Sequence, residues 1–181
     1  MAKIYRYKGV EPQIGKNSFL SSGVEIIGDV TLGDNCSIWF NSVLRGDVGS
    51  ITLGDNVNIQ DLCMLHNTAG IPLVIEENVS VGHHVMIHSS TIKKGTLVGM
   101  GSIIMDEVVV GESSLVAAGS VLPPRKVYPP GHLIMGNPAR AVRKLDEKEL
   151  NMVENHYKRY LKYQESYNDE DFTLIKETNR T

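Results

Sequence analysis

Histidines are concentrated in the stretch VGHHVMIHSS at residues 81–90, which holds His83, His84 and His88, three of the six in this 181-residue chain. A fourth, His66, precedes this stretch. Three neutral imidazoles are a sufficient ligand set for a catalytic Zn²⁺, and they leave one tetrahedral position open for water. These residue types therefore suggest a metal site.

The spacing of His83 and His88 makes it difficult for one regular strand to present both. Five residues span up to ~16 Å of extended chain, whereas ligands ~2.0 Å from one ion lie within a few ångströms of each other. Five is also an odd separation, which places the two side chains on opposite sides of a strand. We therefore expect a site shared between subunits arranged around a threefold axis.

The elements that must position these histidines follow from a repeat of six residues. An aliphatic residue recurs at every sixth position in four runs, with three breaks in phase. The runs are Ile14, Leu20, Ile26, Leu32, Ile38 and Leu44; Leu53, Ile59, Leu65 and Ile71; Ile75, Val81 and Ile87; and Ile92, Val98, Ile104, Val110, Val116 and Leu122. Turn-forming residues often follow, as in LGDNCS and LGDNVN. Each unit is therefore expected to be a short strand closed by a turn.

A period of six fits a coil whose every side is one hexapeptide with its aliphatic residue pointing inward. The sequence thus predicts an all-β solenoid of about six to seven coils, each with three sides. A β-sandwich is the alternative, but its strands alternate with period two and have irregular loops.

Five segments are expected along the chain. They are an N-terminal strand or cap at 1–13, the hexapeptide β-helix at 14–122, an extended proline-rich connector at 123–145, a helix at 146–167 packed alongside, and a polar tail at 168–181. The helix is predicted from Asp146 and Glu149, spaced as a capping box, and from the helical spacing of the apolar residues that follow.

Three polar residues directly follow an inward aliphatic residue, namely Arg45, His66 and His88. Adjacent strand residues alternate faces, so these side chains should point away from the core. Solvated surface positions are the simplest interpretation of any one of them. The three phase breaks, however, fall beside these same residues, which favours a functional site.

Composition excludes several classes of function. The net charge is −3, without a sustained run of one sign, so we expect neither a nucleic-acid partner nor an anionic membrane. No stretch approaches the roughly 18 apolar residues of a membrane span. We expect a soluble, cytoplasmic protein whose two cysteines, Cys36 and Cys63, are reduced core residues.

Taken together, the hexapeptide repeats, the segment RGDVGSITLGDNVNIQDLCMLHN (45–67), the HxxxxH of His83 to His88 and the GNPAR sequence before a helix resemble the γ-class carbonic anhydrases. The resemblance covers the chain to about residue 167. It implies a left-handed parallel β-helix in a homotrimer, with a metal at each subunit interface. It also implies a lyase that reversibly hydrates carbon dioxide to bicarbonate through a metal-bound hydroxide.

The resemblance also assigns residue roles. The metal ligands would be His66, His83 and His88, with His83 coming from the neighbouring subunit. The metal would be Zn²⁺, although three histidines also accept Fe²⁺ or Co²⁺. The other roles are an interface ion-pair cluster of Arg45, Asp47 and Asp61; a pair that orients water and bicarbonate, Asn58 and Gln60; and Tyr160, near the active site. Tyr160 could equally serve in packing, and His84, His132 and His156 are not expected to be ligands.

The chain departs from the best-characterised branch of that family at two acidic positions. Glutamates that serve proton transfer there are replaced here by Val48 and Ala69, and the acidic loop of that branch is missing. Turnover limited by proton export is therefore expected. Two other functions remain open: a hexapeptide acyltransferase or thioesterase, because fold does not fix function, and a non-catalytic metal-binding assembly subunit.

Overall fold

The computed structural model describes residues 1–168 and Phe172, so the predicted polar tail lies almost entirely outside the described residues. The described strands are β1 (Lys3–Tyr5), β2 (Gln13–Ile14), β3 (Phe19–Leu20), β4 (Glu25–Leu32), β5 (Ser37–Ile38), β6 (Val43–Leu53), β7 (Asn58–Ile59), β8 (Met64–His66), β9 (Leu73–Ile75), β10 (Ser80–Val81), β11 (Met86–His88), β12 (Thr91–Ile92), β13 (Leu97–Val98), β14 (Ile103–Ile104), β15 (Val109–Val110), β16 (Leu115–Val116), β17 (Val121–Leu122), β18 (Val127–Tyr128), β19 (His132–Gly136) and β20 (Ala139–Lys144). Two helices follow, α1 (Glu147–Asn155) and α2 (Tyr157–Asn168).

The strands stack in parallel on three flat sides of a left-handed β-helix of about seven coils. The first side contains β3, β5, β7, β10, β13, β16 and β19. The second contains β1, the start of β4 and β6, and β8, β11, β14 and β17. The third contains β2, the end of β4 and β6, and β9, β12, β15 and β18. The predicted fold class is therefore confirmed, including a handedness that departs from the usual right-handed crossover.

The core is a column of aliphatic side chains, one from each hexapeptide. Leu44, Leu65 and Ile87 are in register on neighbouring coils of the second side, and each is fully buried. The corresponding residues of the other two sides complete each layer. Burying a Leu or Ile side chain contributes ≈ 1.5–3 kcal/mol, so the stacked layers stabilise the solenoid without long strands.

The corner between the third and first sides is built by stacked asparagines. Asn17, Asn35, Asn56 and Asn78 all have positive φ, between 54° and 61°. Their side chains form a ladder in which Asn35 Nδ2 donates to Asn56 Oδ1 over 3.2 Å and Asn56 Nδ2 donates to Asn78 Oδ1 over 2.9 Å. Asparagine tolerates this left-handed conformation, which explains the recurring turn sequences.

The segment at 123–145 differs from the connector that we predicted, because it contains β18, β19 and β20. β19 continues the first side, pairing in parallel with β16, and the solenoid thus extends past Leu122. The sixfold spacing in fact continues at Tyr128 and Ile134, which are 5% and 0% exposed. β20 then reverses direction and pairs antiparallel with β19.

The predicted phase at Ile71 is also wrong. Ile71 is only partly buried, whereas Leu73 and Ile75 on β9 are fully buried. The chain bulges outward between β8 and β9, so the inward position is shifted along the sequence. This bulge lies beside His66.

The C-terminal helical segment consists of α1 and α2, which meet at His156, rather than the single helix that we predicted. The capping box is confirmed, because Asp146 accepts from the Glu149 backbone N–H and the Glu149 side chain accepts from the Asp146 backbone N–H. Helix α2 packs its tyrosines on the first side, where Tyr167 contacts Trp39 with ring centroids 5.0 Å apart. Neither of the described helices is long and apolar enough to cross a membrane.

Candidate functional site

His66 and His88 occupy equivalent positions on neighbouring coils. β8 and β11 pair in parallel with these two residues in register, and His66 Nδ1 lies 3.1 Å from His88 Nε2. Both rings are partly exposed at the corner between the second and third sides. We call this pair and the carboxylates that contact it, Asp47 and Asp106, the His66 half-site.

The distance between the two facing nitrogens fits a shared metal ion. Two ligands ~2.0–2.1 Å from one ion at a tetrahedral angle are themselves ~3.3 Å apart. The hydrogen-bond count leads to the same conclusion. His66 contacts Asp47 and His88, and His88 also contacts Asp106, so the three contacts need three N–H hydrogens while two neutral imidazoles carry only two. One additional cation, a proton or a metal ion, therefore fits between the facing nitrogens.

Asp47 connects His66 to the neighbouring arginine. Its Oδ1 lies 3.0 Å from His66 Nε2, and its Oδ2 accepts from Arg45 over 2.6 Å. Burial favours a higher pKa for the Asp47 carboxyl, but the hydrogen bonds from Arg45 and His66 outweigh it and lower that pKa below its ordinary value. Asp47 therefore remains ionised and keeps Nε2 of His66 occupied.

Asp106 plays the corresponding part for His88, and the sequence analysis did not identify it. Its Oδ1 lies 2.7 Å from His88 Nδ1 and accepts a second hydrogen bond from Thr68 Oγ1, also over 2.7 Å. The hydrogen bond from Thr68 lowers the pKa of the Asp106 carboxyl; burial opposes this effect, but the contacts with His88 add to it and the pKa stays below its ordinary value. Asp106 lies 18 residues after His88, one coil further along the solenoid, and this spacing is the signal that could have found it.

His83 lies at a different corner, between the first and second sides, after β10. Its Nδ1 contacts Asp61 Oδ2 over 2.6 Å, and its side chain is 42% exposed. We call His83 and Asp61 the His83 half-site. Within residues 1–168, no three His, Cys, Asp or Glu side chains come together in a way that could hold a metal ion. The two half-sites are therefore separate within the described chain, and Asp61 contacts His83 while Arg45 contacts Asp47.

An aromatic cavity adjoins the His83 half-site. It has a volume of about 340 Å³ and is lined by Trp39, Phe40, Asp61, His83, Tyr160, Tyr163 and Tyr167. Tyr160 stacks edge-on against Trp39 at 5.5 Å, so this tyrosine packs and also faces the cavity. Burial raises the pKa of Tyr160 to about 12, and nearby Asp61 adds to the shift. Its hydroxyl therefore stays protonated at neutral pH.

Asn58 and Gln60 flank inward-pointing Ile59 on β7. Gln60 Nε2 donates to Asn58 Oδ1 over 3.2 Å, and Asn58 Nδ2 donates to Ser80 Oγ over 2.7 Å. Both side chains are buried, with Asn58 1% and Gln60 4% exposed, although they flank an inward residue and so point away from the core. The amide pair is held in a fixed orientation immediately before Asp61 in sequence.

The other histidines and the cysteines lie outside these half-sites. His84 is exposed beside His83, and His156 is half-buried between α1 and α2. Burial raises the pKa of both Cys36 and Cys63 to about 12, so the two thiols are protonated core groups.

Comparison with known proteins decides the family. Residues 11–46 match the family model described as bacterial transferase hexapeptide (six repeats). The chain is 45% identical over 164 residues to a carbonic anhydrase of Geobacillus kaustophilus, covering 91% of this chain and 90% of that protein. The chain belongs to the γ-class carbonic anhydrase family.

Two further relatives of this γ-class chain carry different names. A probable carbonic anhydrase of Methanocaldococcus jannaschii is 40% identical over 153 residues, with 84% of this chain and 96% of that protein covered. A solved Bacillus cereus structure, named as an acetyltransferase, is 43% identical with a TM-score of 0.90 and covers 92% of this chain and 96% of that one. Family membership therefore coexists with two activity names among close relatives.

Proposed function

We propose that this γ-class protein is a metal-dependent carbonic anhydrase that acts as a homotrimer, with carbon dioxide and bicarbonate as substrates. The observation that carries the proposal is the set of three aspartate–histidine pairs, Asp47–His66, Asp106–His88 and Asp61–His83. Each carboxylate occupies one ring nitrogen and leaves the other for a metal ion. Metal-binding histidines in proteins are typically held in this way.

The distribution of the pairs supports a trimer. The His66 half-site and the His83 half-site lie at the two corners that bound the second side. If this side faces a threefold axis, the His83 corner of one chain lies against the His66 corner of its neighbour. Each interface then assembles three ligands.

The surface of the second side suits such an interface. Its outward row, in register from coil to coil, is Val43, Met64, Met86, Ile103 and Val121. Met86 and Ile103 are 47% and 38% exposed in the single chain. A contiguous exposed apolar surface of this kind is typical of a protein contact.

Zn²⁺, or Fe²⁺ or Co²⁺ in its place, would supply a hydroxide nucleophile at neutral pH by lowering the pKa of a bound water. The chain's own residues would do the rest. Asp47, Asp61 and Asp106 orient the ligand rings, and Asn58 with Gln60 orients substrate at the His83 half-site. The apolar row of the second side excludes bulk water.

The first test of the proposal determines which histidines are required for metal binding. His83→Ala and His88→Ala should each lose stoichiometric metal, measured by elemental analysis of anaerobically purified protein. His84→Ala is the matched control, because its exposed ring lies next to His83 without forming part of either half-site. Loss of metal in the control together with retention in His83→Ala would contradict the assignment.

A mixed-trimer experiment tests whether the site is shared. One chain carries His66→Ala and His88→Ala, and the other carries His83→Ala, so neither homotrimer has a complete ligand set. Co-expression should recover about a quarter of the wild-type metal content and hydration rate, because each mixed trimer restores one site of three and about three trimers in four are mixed. Recovery at the background level of the separate variants would rule out a site between subunits.

Proton export is expected to limit the rate, because Val48 and Ala69 occupy the positions of the acidic shuttle. General acid or base assistance typically contributes 10²–10⁴-fold. Raising the concentration of a small buffer such as imidazole should therefore increase hydration by the metal-loaded wild type and leave His88→Ala inactive. A rate independent of buffer would mean that another group of the chain already exports the proton.

Acyl transfer is the second candidate, and the cavity beside His83 favours it. A volume of about 340 Å³ lined by aromatic rings exceeds what carbon dioxide requires and could hold an acyl group. His83, oriented by Asp61, has the geometry of a general base. Metal-independent acyl transfer that is abolished by His83→Ala but not by His88→Ala would favour this function over hydration.

A further inference from the structure

We propose that Asp106, assisted by Thr68, is a positioning residue that fixes the tautomer and ring orientation of His88. This inference rests on the proposed function, because the nitrogen that it leaves available is the one assigned to the metal. It adds a residue pair that lies one coil away from the histidine motif.

The contacts of Asp106 fix both its side chain and its backbone. Oδ1 forms hydrogen bonds with His88 Nδ1 and Thr68 Oγ1, each over 2.7 Å. The Asp106 backbone carbonyl accepts from the Arg125 N–H over 2.9 Å, and the following N–H, of Glu107, donates to the Ser89 carbonyl over 2.7 Å. The carboxylate is thus tied to the coils on both sides of it.

Thr68 is also held in position by a backbone hydrogen bond. Although Thr68 lies in the bulge, its backbone is held in place, because its N–H donates to Ser89 Oγ over 2.6 Å. Ser89 directly follows His88, so the threonine hydroxyl is held beside the imidazole that Asp106 contacts. The bulge after β8 therefore serves to bring an additional donor to the Asp106 carboxylate.

The chemical consequence follows from the inventory of donors. An ionised carboxylate only accepts hydrogen bonds, so a neutral His88 that bonds to Asp106 must carry its hydrogen on Nδ1. Nε2 is then a lone-pair nitrogen, and it is the atom that faces His66 Nδ1 at 3.1 Å. The hydrogen bond made by one ring nitrogen decides which nitrogen can bind metal.

Asp106 is a better test of positioning than Asp47. Asp47 divides its oxygens between His66 and Arg45, so its loss would also disturb the predicted interface cluster. Asp106 directs one oxygen at both His88 and Thr68. Its removal should therefore act on the ring without removing the arginine contact.

The experiment compares Asp106→Ala and Thr68→Val with Glu107→Ala, which removes a carboxylate from the same turn without touching His88. The first readout is the tautomer of His88 in the metal-free protein above pH 8, from ¹⁵N chemical shifts of the imidazole. Wild type and Glu107→Ala should show the Nδ1–H form. Asp106→Ala should shift toward the Nε2–H form, and Thr68→Val should shift less in the same direction.

The second readout is the Zn²⁺ dissociation constant, measured by competition with a chromophoric chelator. Asp106→Ala should bind Zn²⁺ 10–100-fold more weakly than wild type, as is usual when the carboxylate behind a histidine ligand is lost, and Glu107→Ala should be unchanged. Thermal unfolding and sedimentation check that each variant folds and assembles like wild type.

The outcomes separate this inference from the proposed function. If wild-type His88 has the Nδ1–H form and Asp106→Ala loses it, the positioning role is supported. This holds even if the wild type does not bind metal, a result that would contradict only the proposed metal site. A wild-type His88 in the Nε2–H form, or a tautomer and Zn²⁺ affinity unchanged in Asp106→Ala, would overturn the inference and leave the three-histidine site intact.

Discussion

At the scale of single residues, the site depends on pairs rather than on isolated histidines. The resemblance to the γ-class carbonic anhydrases predicted His66, His83 and His88 as ligands, and the regular aliphatic repeat marked His66 and His88 as outward polar residues. It did not identify Asp106, because the contact with His88 forms only once the coils stack, although the 18-residue spacing of one coil is a signal that could have found it. Nor could it show that Asn58 and Gln60 would be buried, since alternation gives the direction of a side chain but not what covers it.

His156 provides a test of burial that is independent of the metal site. Burial between the helices lowers the pKa of His156, and nearby Arg159 lowers it further. Its Nδ1 is buried and has no hydrogen-bond partner among the described residues. A histidine whose folded pKa is below the unfolded value of about 6.5 contributes stability above that pH, and this stability is lost as the pH falls below it.

The free energy of unfolding of the metal-free protein should therefore decrease between pH 7.5 and pH 5.5, and His156→Gln should make this decrease smaller. Denaturant titrations at the two pH values measure the difference. His132→Gln is the control, because its ring lies near the surface, where Nδ1 contacts the Pro130 carbonyl. An equal pH dependence in wild type and His156→Gln would contradict the role assigned to burial.

At the scale of elements, the hexapeptide repeat determines the architecture because each unit contributes one inward residue and one turn. The repeat predicted the solenoid through Leu122 but not its continuation, because the prolines of 123–145 suggested a connector. Tyr128 and Ile134 nevertheless hold the sixfold positions, with tyrosine in place of an aliphatic residue. The shift from Ile71 to Leu73 was unpredictable for a related reason: an outward bulge can start at more than one point of an apolar segment.

The asparagine ladder tests how the turns stabilise the coils. Asn56 has φ of 59° and bonds to the asparagines above and below it. Asn56→Gly removes the ladder bonds but tolerates the backbone angle, whereas Asn56→Ala also introduces a left-handed alanine. The alanine variant should be less stable than the glycine variant by on the order of 1 kcal/mol, measured by denaturant unfolding. A glycine variant as stable as wild type would show that the ladder bonds contribute little.

At the scale of the whole molecule, the two half-sites place the proposed ligands at separate corners of the described chain. They bound the same side of the solenoid, and that side has an exposed apolar row between them. Assembly and metal binding are therefore expected to depend on each other. Arg45 adds to this coupling, since the carboxylate that it contacts, Asp47, also contacts His66.

A charge placed in the apolar row should separate the subunits and remove the metal together. Met86 lies between Met64 and Ile103 in the row and is 47% exposed in the single chain, so Met86→Glu should leave the isolated chain folded. Burying an unpaired carboxylate at an interface costs several kcal/mol, which is enough to dissociate a trimer at micromolar concentration.

Val127→Glu is the matched control, because Val127 is 74% exposed on the third side, away from the predicted contact. Light scattering after size exclusion should show a trimer for wild type and Val127→Glu and a monomer for Met86→Glu, with bound metal falling in parallel. A folded Met86→Glu monomer that keeps stoichiometric metal would place all the ligands within one chain, and a wild type that is monomeric at micromolar concentration would remove the threefold interface itself.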